Sequence, residues 1–528
     1  MDLTDRLRRA LPFVDGGKPP SEPFLCRAAR WASGLSYRDI PKPVRRNATT
    51  QLTDSVAAAI RTTDRPIGHR IGGTIGDIDG GGRATFLGGG STAPERAAFG
   101  NAALASALNF DDLILGGATG RSSVFVPLAY AEATDASGRR ALVAQIAANE
   151  IAGRLGAAVA TGPFDEERTT SIHAAGAAVG RGVIEDVGAD TLADALGTAL
   201  SQPTRPLERS AVGSETGVWN VSDPIRTGIA AIDSARNGIA GRDDLIEGEG
   251  GLLDSVRDRP SPAYLSGLGE RWHTSTLSVR QSPGSVFFTA PIEAATEARG
   301  RFDRGRTTIR GVDVYVPAAS ITAEARLKRY RDESRSSAIG RWSVSEGVGT
   351  ALVEGRPTLE RLDERTDRVR RVADRVRIHH DPELTVAAAG STGQSGVTLG
   401  GSGRLAPVRA ARTLGATATA RHLPSALRSG RSRSPPETFE AAERRFGARI
   451  VVTTAAGRTV EATIDRPSGF AGAPLAEKRA LARSKLREGM ATVGVDGPTA
   501  RKQSRELLSI ADCDPVSLGT LLDVIDRE

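Results

Sequence analysis

The chain has 528 residues, of which 39% are hydrophobic and only 4% aromatic, and this length suits two or more domains. Two cysteines exclude a disulfide framework and a CxxC metal motif, and no apolar stretch is long enough to cross a membrane. The first residues lack the apolar core of a signal peptide, so we expect a cytoplasmic protein without a membrane segment.

The net charge of +7 is concentrated in one segment. Residues 387–436 contain seven arginines and no acidic residue, so the rest of the chain balances to zero. This segment is rich in Gly, Ser and Ala, which predicts a disordered insertion whose deletion leaves the fold intact. Its arginines lack interleaved aromatic residues, so they indicate at most non-specific attraction to nucleic acid, and we do not expect nucleic acid as a partner.

A glycine-rich stretch at residues 71–91 reads IGGTIGDIDGGGRATFLGGGS. The spacing fits neither the dinucleotide fingerprint nor the phosphate-binding loop that ends in GK[ST]. We therefore predict a turn, a short strand and another turn, and no cofactor site.

Residues 101–112, NAALASALNFDD, predict a closely packed helix that ends on Asp111 and Asp112. Acidic residues at a helix C-terminus are unfavourable, because the helix dipole is negative there. One explanation is that the pair has a raised pKa and transfers protons. The other is structural: the acids cap the next turn or pair with an arginine such as Arg121.

Three further helices are marked by their apolar periodicity. GRRALVAQIAANEIAGRLGAAVA places Glu150 one turn before Arg154, which predicts an i,i+4 ion pair. ADTLADALGTALSQ begins near Asp190. In DPIRTGIAAIDSARNGIAG, Asp223 suits the N-cap, Pro224 the first turn, and Gly241 the end.

The pattern changes from about residue 273 to short β-like segments that alternate with helices. TLSVRQ, TIRGVDVYVP and RVRIHHD predict strands, and ARIVVTTAAGRTVEATID predicts a hairpin. The C-terminal segment returns to helix. We predict a mainly α protein: a large helical domain (1–272 and 470–528) interrupted by a smaller α+β lid domain (273–469), with the insertion at 387–436 inside the lid.

The order and spacing of these segments resemble the MmgE/PrpD family, which includes 2-methylcitrate dehydratase and cis-aconitate decarboxylase. The resemblance is carried by ATFLGGGSTAPERAAFGNAALASALNFDD, by VFVPLAYAEATDASGRRALVAQIAANEIAGRLG, by DPIRTGIAAIDSARNGIAGRDDLIEGEGGLLD, and by DPEL with the hairpin. It implies a homodimer with a substrate cleft between helical domain and lid. It also implies small polycarboxylate substrates, no metal or organic cofactor, and dehydration or decarboxylation by proton abstraction next to a carboxylate.

The chain departs from the family pattern where that pattern has proton-transfer groups. The family histidines and lysines are replaced, and the positions concerned hold Ser106, Thr119–Arg121, Arg168, Gly217 and Arg280. Asn109 stands for an acid, and Leu113 for a threonine. The candidate catalytic residues that remain are Asp111, Asp112 and His173, and the candidate substrate-binding residues are Asn109, Arg168, Arg226 and Arg280.

Two functions fit this sequence. The first, which we predict, is a divergent lyase that acts on a small polycarboxylate by proton abstraction next to a carboxylate. The second is a catalytically impaired family member that binds a ligand or serves as a heterodimer partner, and the loss of the proton-transfer groups favours it. Arginine stays protonated at any working pH, so it holds a carboxylate but rarely acts as a base.

Overall fold

The computed structural model describes residues 22–75, 82–159, 170–203, 206–256, 260–302, 308–331, 342–391 and 439–522. The architecture is mainly α with a smaller α+β portion, as predicted. The first 240 residues supply eleven helices among those described: α1 Phe24–Gly34, α2 Lys42–Thr63, α3 Pro66–Ile75, α4 Pro94–Ser106, α5 Gly120–Ser123, α6 Phe125–Ala133, α7 Gly138–Val159, α8 Ile172–Ile184, α9 Ala189–Leu200, α10 Glu208–Ala211 and α11 Trp219–Arg236.

Small residues allow these helices to pack closely around α2 and α7. Helix α7 is rich in Ala and Gly and is buried along almost its whole length. A Cβ atom added to Gly116, in the segment that crosses α7, would lie 2.0 Å from the carbonyl oxygen of Gly153. The backbone of this segment therefore lies directly on the helix, which only glycine permits.

The glycine-rich stretch forms a two-residue antiparallel ladder, β1 Ala84–Thr85 with β2 Ser91–Thr92. The turn and short strand predicted there are confirmed, and residues 76–81 of this stretch lie outside the described residues.

Helix α11 differs from its prediction at both ends. It begins at Trp219 rather than at Pro224, which lies inside it, and it ends at Arg236. The indole of Trp219 stacks on the ring of Phe99 in α4 with centroids 5.0 Å apart, and this contact anchors the additional turn. Ile239, which a helix extending to Gly241 would contain, lies beyond the end of the helix and is exposed.

The described α+β portion contains four strands: β3 Ile309–Val316, β4 Val376–His380, β5 Ala448–Thr454 and β6 Thr459–Ile464. They form one sheet in the order β4–β3–β5–β6. Strands β3 and β4 are parallel, the other pairs are antiparallel, and the β5–β6 hairpin is confirmed. TLSVRQ is not a strand: it makes a single bridge, Leu113 with Ser278. The helices of this portion are α12 Thr289–Arg299, α13 Ala318–Arg331, α14 Val344–Glu354, α15 Leu359–Asp363, α16 Asp367–Ala373 and α17 Pro382–Ser391.

Three helices follow the sheet: α18 Leu475–Thr492, α19 Gly497–Leu508 and α20 Leu518–Leu522. They return to the first part of the chain, where α18 packs along α2. Helix α17 covers the first five residues of the predicted insertion, and residues 392–438 lie outside the described residues.

The apolar core has two large parts. One is formed by residues between Phe24 and Trp272 together with the C-terminal helices, and the other mainly by residues between Val286 and Phe470. Two small clusters lie between them: Leu108, Phe110, Trp342, Leu359 and Leu362, and Ile114, Leu277, Val279 and Ala482. The segment 108–114, which contains the paired aspartates, therefore lies at the junction of the two cores.

Candidate active site

The paired aspartates lie beyond the helix, not at its end. Helix α4 ends at Ser106, and Asn109 turns the chain through a left-handed conformation with φ +45°. Asn tolerates this conformation better than most residues, which explains its place in the turn. The helix-dipole explanation of the pair is therefore wrong. Both Asp111 and Asp112 are fully buried rather than at an open mouth.

Asp111 is held between two guanidinium groups. Arg121 Nε lies 2.6 Å from Asp111 Oδ2, and Arg280 Nη2 lies 2.9 Å from Asp111 Oδ1. Burial raises the pKa of Asp111, but the two arginines outweigh it and hold that pKa below its ordinary value. Asp111 therefore stays ionised and fixes two cations, including the Arg121 pairing that the sequence left open.

Arg280 is engaged within the protein by four hydrogen bonds. Besides Asp111 Oδ1, its guanidinium donates to the Asp111 carbonyl at 2.7 Å, to Asn109 Oδ1 at 3.1 Å and to the Gly284 carbonyl at 3.2 Å. The amide of Gly284 in turn donates to the Leu108 carbonyl at 3.1 Å. Arg280 thus closes the 280–284 segment onto the aspartate turn.

Asp112 faces neutral donors instead. Its Oδ2 accepts from Gln51 Nε2 at 2.8 Å and its Oδ1 from Ser55 Oγ at 3.0 Å, both on α2. Burial, together with the charge of Asp111, raises the pKa of Asp112 to about 7. Asp112 is therefore a carboxyl group that exchanges its proton near neutral pH.

Close backbone packing supports Asp112. A Cβ at Gly120, the first residue of α5, would lie 2.0 Å from Asp112 Oδ1 and 2.5 Å from Ser55 Oγ. A residue with a side chain at this position would displace the carboxyl group.

An amide and hydroxyl network continues from Asp112 into the helical core. Asn149 Nδ2 and Gln145 Nε2, on α7, donate to Gln51 Oε1 at 2.6 and 2.9 Å. Thr119 and Ser123 both donate from Oγ atoms to Asn149 Oδ1 at 2.7 Å. Because each member is oriented by the next, the Gln51 amide presents its N–H to Asp112.

A buried ion pair, absent from the sequence-based candidates, lies beside the turn. Lys485 Nζ on α18 lies 2.5 Å from Asp54 Oδ1 on α2 and donates to the Phe110 carbonyl at 2.6 Å. The ammonium also lies 4.1 Å from the centroid of the Phe110 ring. Burial raises the pKa of Asp54 and lowers that of Lys485, in each case against the pull of the partner.

We call the following six side chains the carboxylate cluster, because three acids and three cations meet at the aspartate turn: Asp54, Asp111, Asp112, Arg121, Arg280 and Lys485. One sequence signal pointed to it. Gln51, Asp54 and Ser55 recur at helical spacing in α2, directly before the apolar run of residues 56–60, which indicates a polar stripe beside the face that packs in the core.

The other sequence-based candidates are placed differently. His173 lies in the first turn of α8, buried, with Nδ1 3.1 Å from Ser122 Oγ, and burial lowers its pKa to about 3. Arg226 is exposed and pairs with Glu95 at 3.3 Å, at the end of α4 remote from the aspartates. Arg168 lies outside the described residues. His173 is therefore neutral near Asp111, and Arg226 is not part of this arrangement.

Glu150 and Arg154 form the predicted i,i+4 pair, with Oε2 and Nη1 2.6 Å apart and both side chains fully buried. Glu150 also accepts from the amides of His273 and Thr274 at 2.8 and 2.9 Å, and Arg154 donates to the carbonyl of Arg271. This pair fastens the 267–274 segment to α7.

A cavity of about 450 Å³ opens next to the turn, between the two cores. Leu108 and Trp342 supply apolar lining, and Arg65, Arg70 and Arg365 supply cations. Each of these arginines faces an acid: Arg65 pairs with Asp363, Arg70 with Glu215, and Arg365 with Glu346. The size suits a small-molecule ligand.

In the part of the chain that the structure describes, no three His, Cys, Asp or Glu side chains meet in a way that could hold a metal ion. No described helix has the length and apolarity needed to span a bilayer.

Residues 27–265 match the family model of the MmgE/PrpD N-terminal domain. Over these residues the chain is similar to the MmgE/PrpD N-terminal domain. The resemblance stated from the sequence is confirmed, and the matched residues include the aspartate turn, the Gln51 network and His173. A curated relative is the cis-aconitate decarboxylase of Aspergillus terreus, which is 24% identical over 365 residues, or 65% of this chain and 74% of that protein.

Proposed function

We propose that this MmgE/PrpD protein is a divergent lyase that removes water or carbon dioxide from a small polycarboxylate, with Asp112 as the proton-transferring group. The observation that carries the proposal is the environment of Asp112. A fully buried carboxyl group with neutral donors and a pKa of about 7 can both accept and return a proton at neutral pH. The similarity of the chain to a cis-aconitate decarboxylase supports the reaction class.

The proton balance is simple in either reaction. In dehydration, ionised Asp112 takes the proton from the carbon next to a substrate carboxylate, the C–H electron pair forms the double bond, and the hydroxyl group leaves as water after protonation by solvent. In decarboxylation, the C–C bond to the departing carboxylate breaks, its electron pair stays on the substrate carbon, and protonated Asp112 delivers the proton to that carbon.

We propose the cavity between the cores as the ligand site. Its cations can hold substrate carboxylates, although each must exchange a side-chain carboxylate for a ligand carboxylate. Leu108 lines the cavity and lies three residues from Asp111. Asp112 is buried, and we propose that a substrate reaches it when the aspartate turn opens and the 280–284 segment moves away from Leu108 and Asp111. The contacts to be broken are those of Arg280 and Gly284.

Ligand binding without catalysis is the second candidate, and one observation favours it. Asp111 already engages Arg121 and Arg280, so two cations that would hold a substrate are neutralised by the protein itself. In this case the protein binds a small carboxylate and leaves it unchanged, either alone or paired with another chain. The homodimer implied by the family resemblance also stays a proposal, which sedimentation of the purified chain would test.

The two candidates are separated by a binding screen followed by a turnover assay. We expect cis-aconitate, citrate or a related acid to raise the melting temperature. Saturation at 100 times Kd corresponds to about 2.7 kcal/mol of added stability. Turnover of the acid that binds is then followed by NMR for wild type and Asp112→Asn, with Arg226→Gln as a matched control far from the turn.

If the protein is a lyase, the rate of Asp112→Asn should fall by about 10²–10⁴, whereas Arg226→Gln should keep full activity. Undiminished turnover by Asp112→Asn would show that another group moves the proton. Binding without turnover would support the second candidate, and absence of binding by every acid in the screen would contradict both.

A further inference from the structure

The pair formed by Asp54 and Lys485 is placed to act on Asp112 from outside the aspartate turn. Asp54 is followed directly on α2 by Ser55, whose hydroxyl donates to Asp112 Oδ1. Asp54 and this donor to Asp112 therefore lie in the same turn of α2. Lys485 reaches the same turn from α18 and binds the carbonyl of Phe110, two residues before Asp112. Among the described C-terminal helices, α18 alone contributes a charged side chain to the carboxylate cluster.

We infer that Asp54 and Lys485 form a positioning pair, which fixes the Phe110–Asp112 turn and sets the pH range over which Asp112 exchanges its proton. The inference rests on the role proposed for Asp112 and adds residues that the reaction itself does not touch. Lys485 holds the turn through one hydrogen bond and through the face of the Phe110 ring. Asp54 supplies a second negative charge, besides Asp111, that opposes ionisation of Asp112.

The packing around Asp54 supports a tuning role rather than a purely structural one. A buried ion pair that only stabilises a fold has its remaining oxygen atoms satisfied by other donors. Asp54 Oδ2 is buried and has no hydrogen-bond partner among the described residues. Its negative charge is balanced mainly by Lys485, with a smaller contribution from Arg280.

Among the described residues, the other charges around Asp112 belong to the carboxylate cluster. The neutral Gln145 and Asn149 of α7 connect to Asp112 through Gln51, and the neutral His173 of α8 lies near Arg121 and Asp111. The charged groups by element are Asp54 on α2, Asp111 in the turn, Arg121 on α5, Arg280 in the 280–284 segment and Lys485 on α18.

The test measures the titration of Asp112 without any substrate. The melting temperature of wild type and of Asp112→Asn is measured from pH 5 to 9, and their difference is plotted against pH. We take as the midpoint the pH at which the slope of that curve has fallen to half, which is the pH at which half of the folded Asp112 is protonated. Glu293, whose pKa burial also raises to about 7, is present in both proteins and cancels.

The same pair of measurements is then made in the background Asp54→Asn. We expect the midpoint to fall by about one pH unit or more, because a negative charge near Asp112 is removed in a poorly solvated region. The matched control is Glu132→Gln, another buried carboxylate, which binds Thr85 and the Leu518 amide. It should lower stability without moving the midpoint.

An unchanged midpoint in the folded Asp54→Asn background would overturn the inference, since a structural pair lowers stability equally at every pH. If that variant does not fold, the double variant Asp54→Asn, Lys485→Gln removes both charges and leaves neither unpaired. It should still lower the midpoint, by less, because Asp54 acts on Asp112 more strongly than Lys485 does. If the midpoint shifts but the protein turns over no acid, the proposed reaction is refuted and the positioning pair is not.

Discussion

Two regions beside α7 each bury a carboxylate, and they compensate its charge to different extents. Glu150 receives a guanidinium, two backbone amides and the Thr274 hydroxyl, so its negative charge is fully compensated. Asp112, which reaches the neighbouring Asn149 through Gln51, receives one amide and one hydroxyl group and faces two further acids. Both side chains have 0% exposure, so burial alone does not distinguish them.

The two environments differ in how well they stabilise a negative charge. The Glu150 region is built for an anion and loses stability if the charge is removed. The Asp112 region favours the neutral acid and tolerates the anion at a cost in stability. A buried acid therefore indicates function only when its charge is left uncompensated by the fold.

The largest effect should come from Glu150→Gln. The buried guanidinium of Arg154 loses its counter-ion, which costs about 3–5 kcal/mol. The free energy of unfolding in urea measures it. Glu297→Gln breaks the exposed i,i+4 pair with Arg301 and should cost at most about 1 kcal/mol. If the free energy of unfolding fell by similar amounts in the two variants, the buried Glu150–Arg154 pair would contribute no more than an exposed one.

The stability of Asp112→Asn should depend less on pH than that of the wild type. The folded pKa of about 7 lies above the ordinary 3.8, so between these values only the folded state keeps the proton. Wild type therefore loses stability as pH increases through this window, by about 4 kcal/mol in total, and the loss is complete above pH 7. The variant lacks this loss. A pH-independent difference between the two proteins would contradict the uncompensated environment of Asp112.

Gly120→Ala tests the backbone contact that supports Asp112. The added methyl group overlaps the carboxyl group, and we expect a loss of about 1–3 kcal/mol despite the higher helix propensity of Ala. Gly73→Ala is the control, because a Cβ there meets open space within a helix. That variant should gain up to about 1 kcal/mol by thermal unfolding. Equal gains would mean that the turn adjusts freely around Gly120.

The smallest effect should come from Arg226→Gln. Its pair with Glu95 is exposed at 3.3 Å, so the loss should stay below about 1 kcal/mol and decrease further in high salt. Urea unfolding at two salt concentrations checks this. A larger loss would mean that the guanidinium of Arg226 also stabilises the fold through the Phe99 ring, whose centroid lies 5.3 Å away.

Local pattern was enough to predict much of the fold. The β5–β6 hairpin, helix α7 with its ion pair, and the change from helical to alternating periodicity are all encoded in neighbouring residues. The end of α4 was not predicted, because Ala and Leu continue past Ser106 with good helix propensity. The turn at Asn109 is imposed by contacts with Arg280 and Gly284 from far along the chain.

The candidate site was predictable only in part for the same reason. The adjacency of Asp111 and Asp112 and the nearness of Arg121 follow from the sequence, and the family resemblance added Arg280. Nothing local could separate the two acids: one faces guanidinium groups and the other an amide and a hydroxyl group from α2. Lys485 lies 375 residues from the carbonyl that it binds, so no spacing rule reveals it.

That separation has a consequence for biosynthesis. Helix α2 is synthesised long before α18, and the face that packs on α18 stays without its partner until α18 has been translated. At about 5–20 residues per second, the interval between Phe110 and Lys485 lasts roughly 20–75 s. Over this time the nascent chain exposes this face of α2 to solvent or to a chaperone. The aspartate turn is thus completed by a helix that is synthesised long after the turn itself, and a chain terminated before α18 lacks the lysine that holds it.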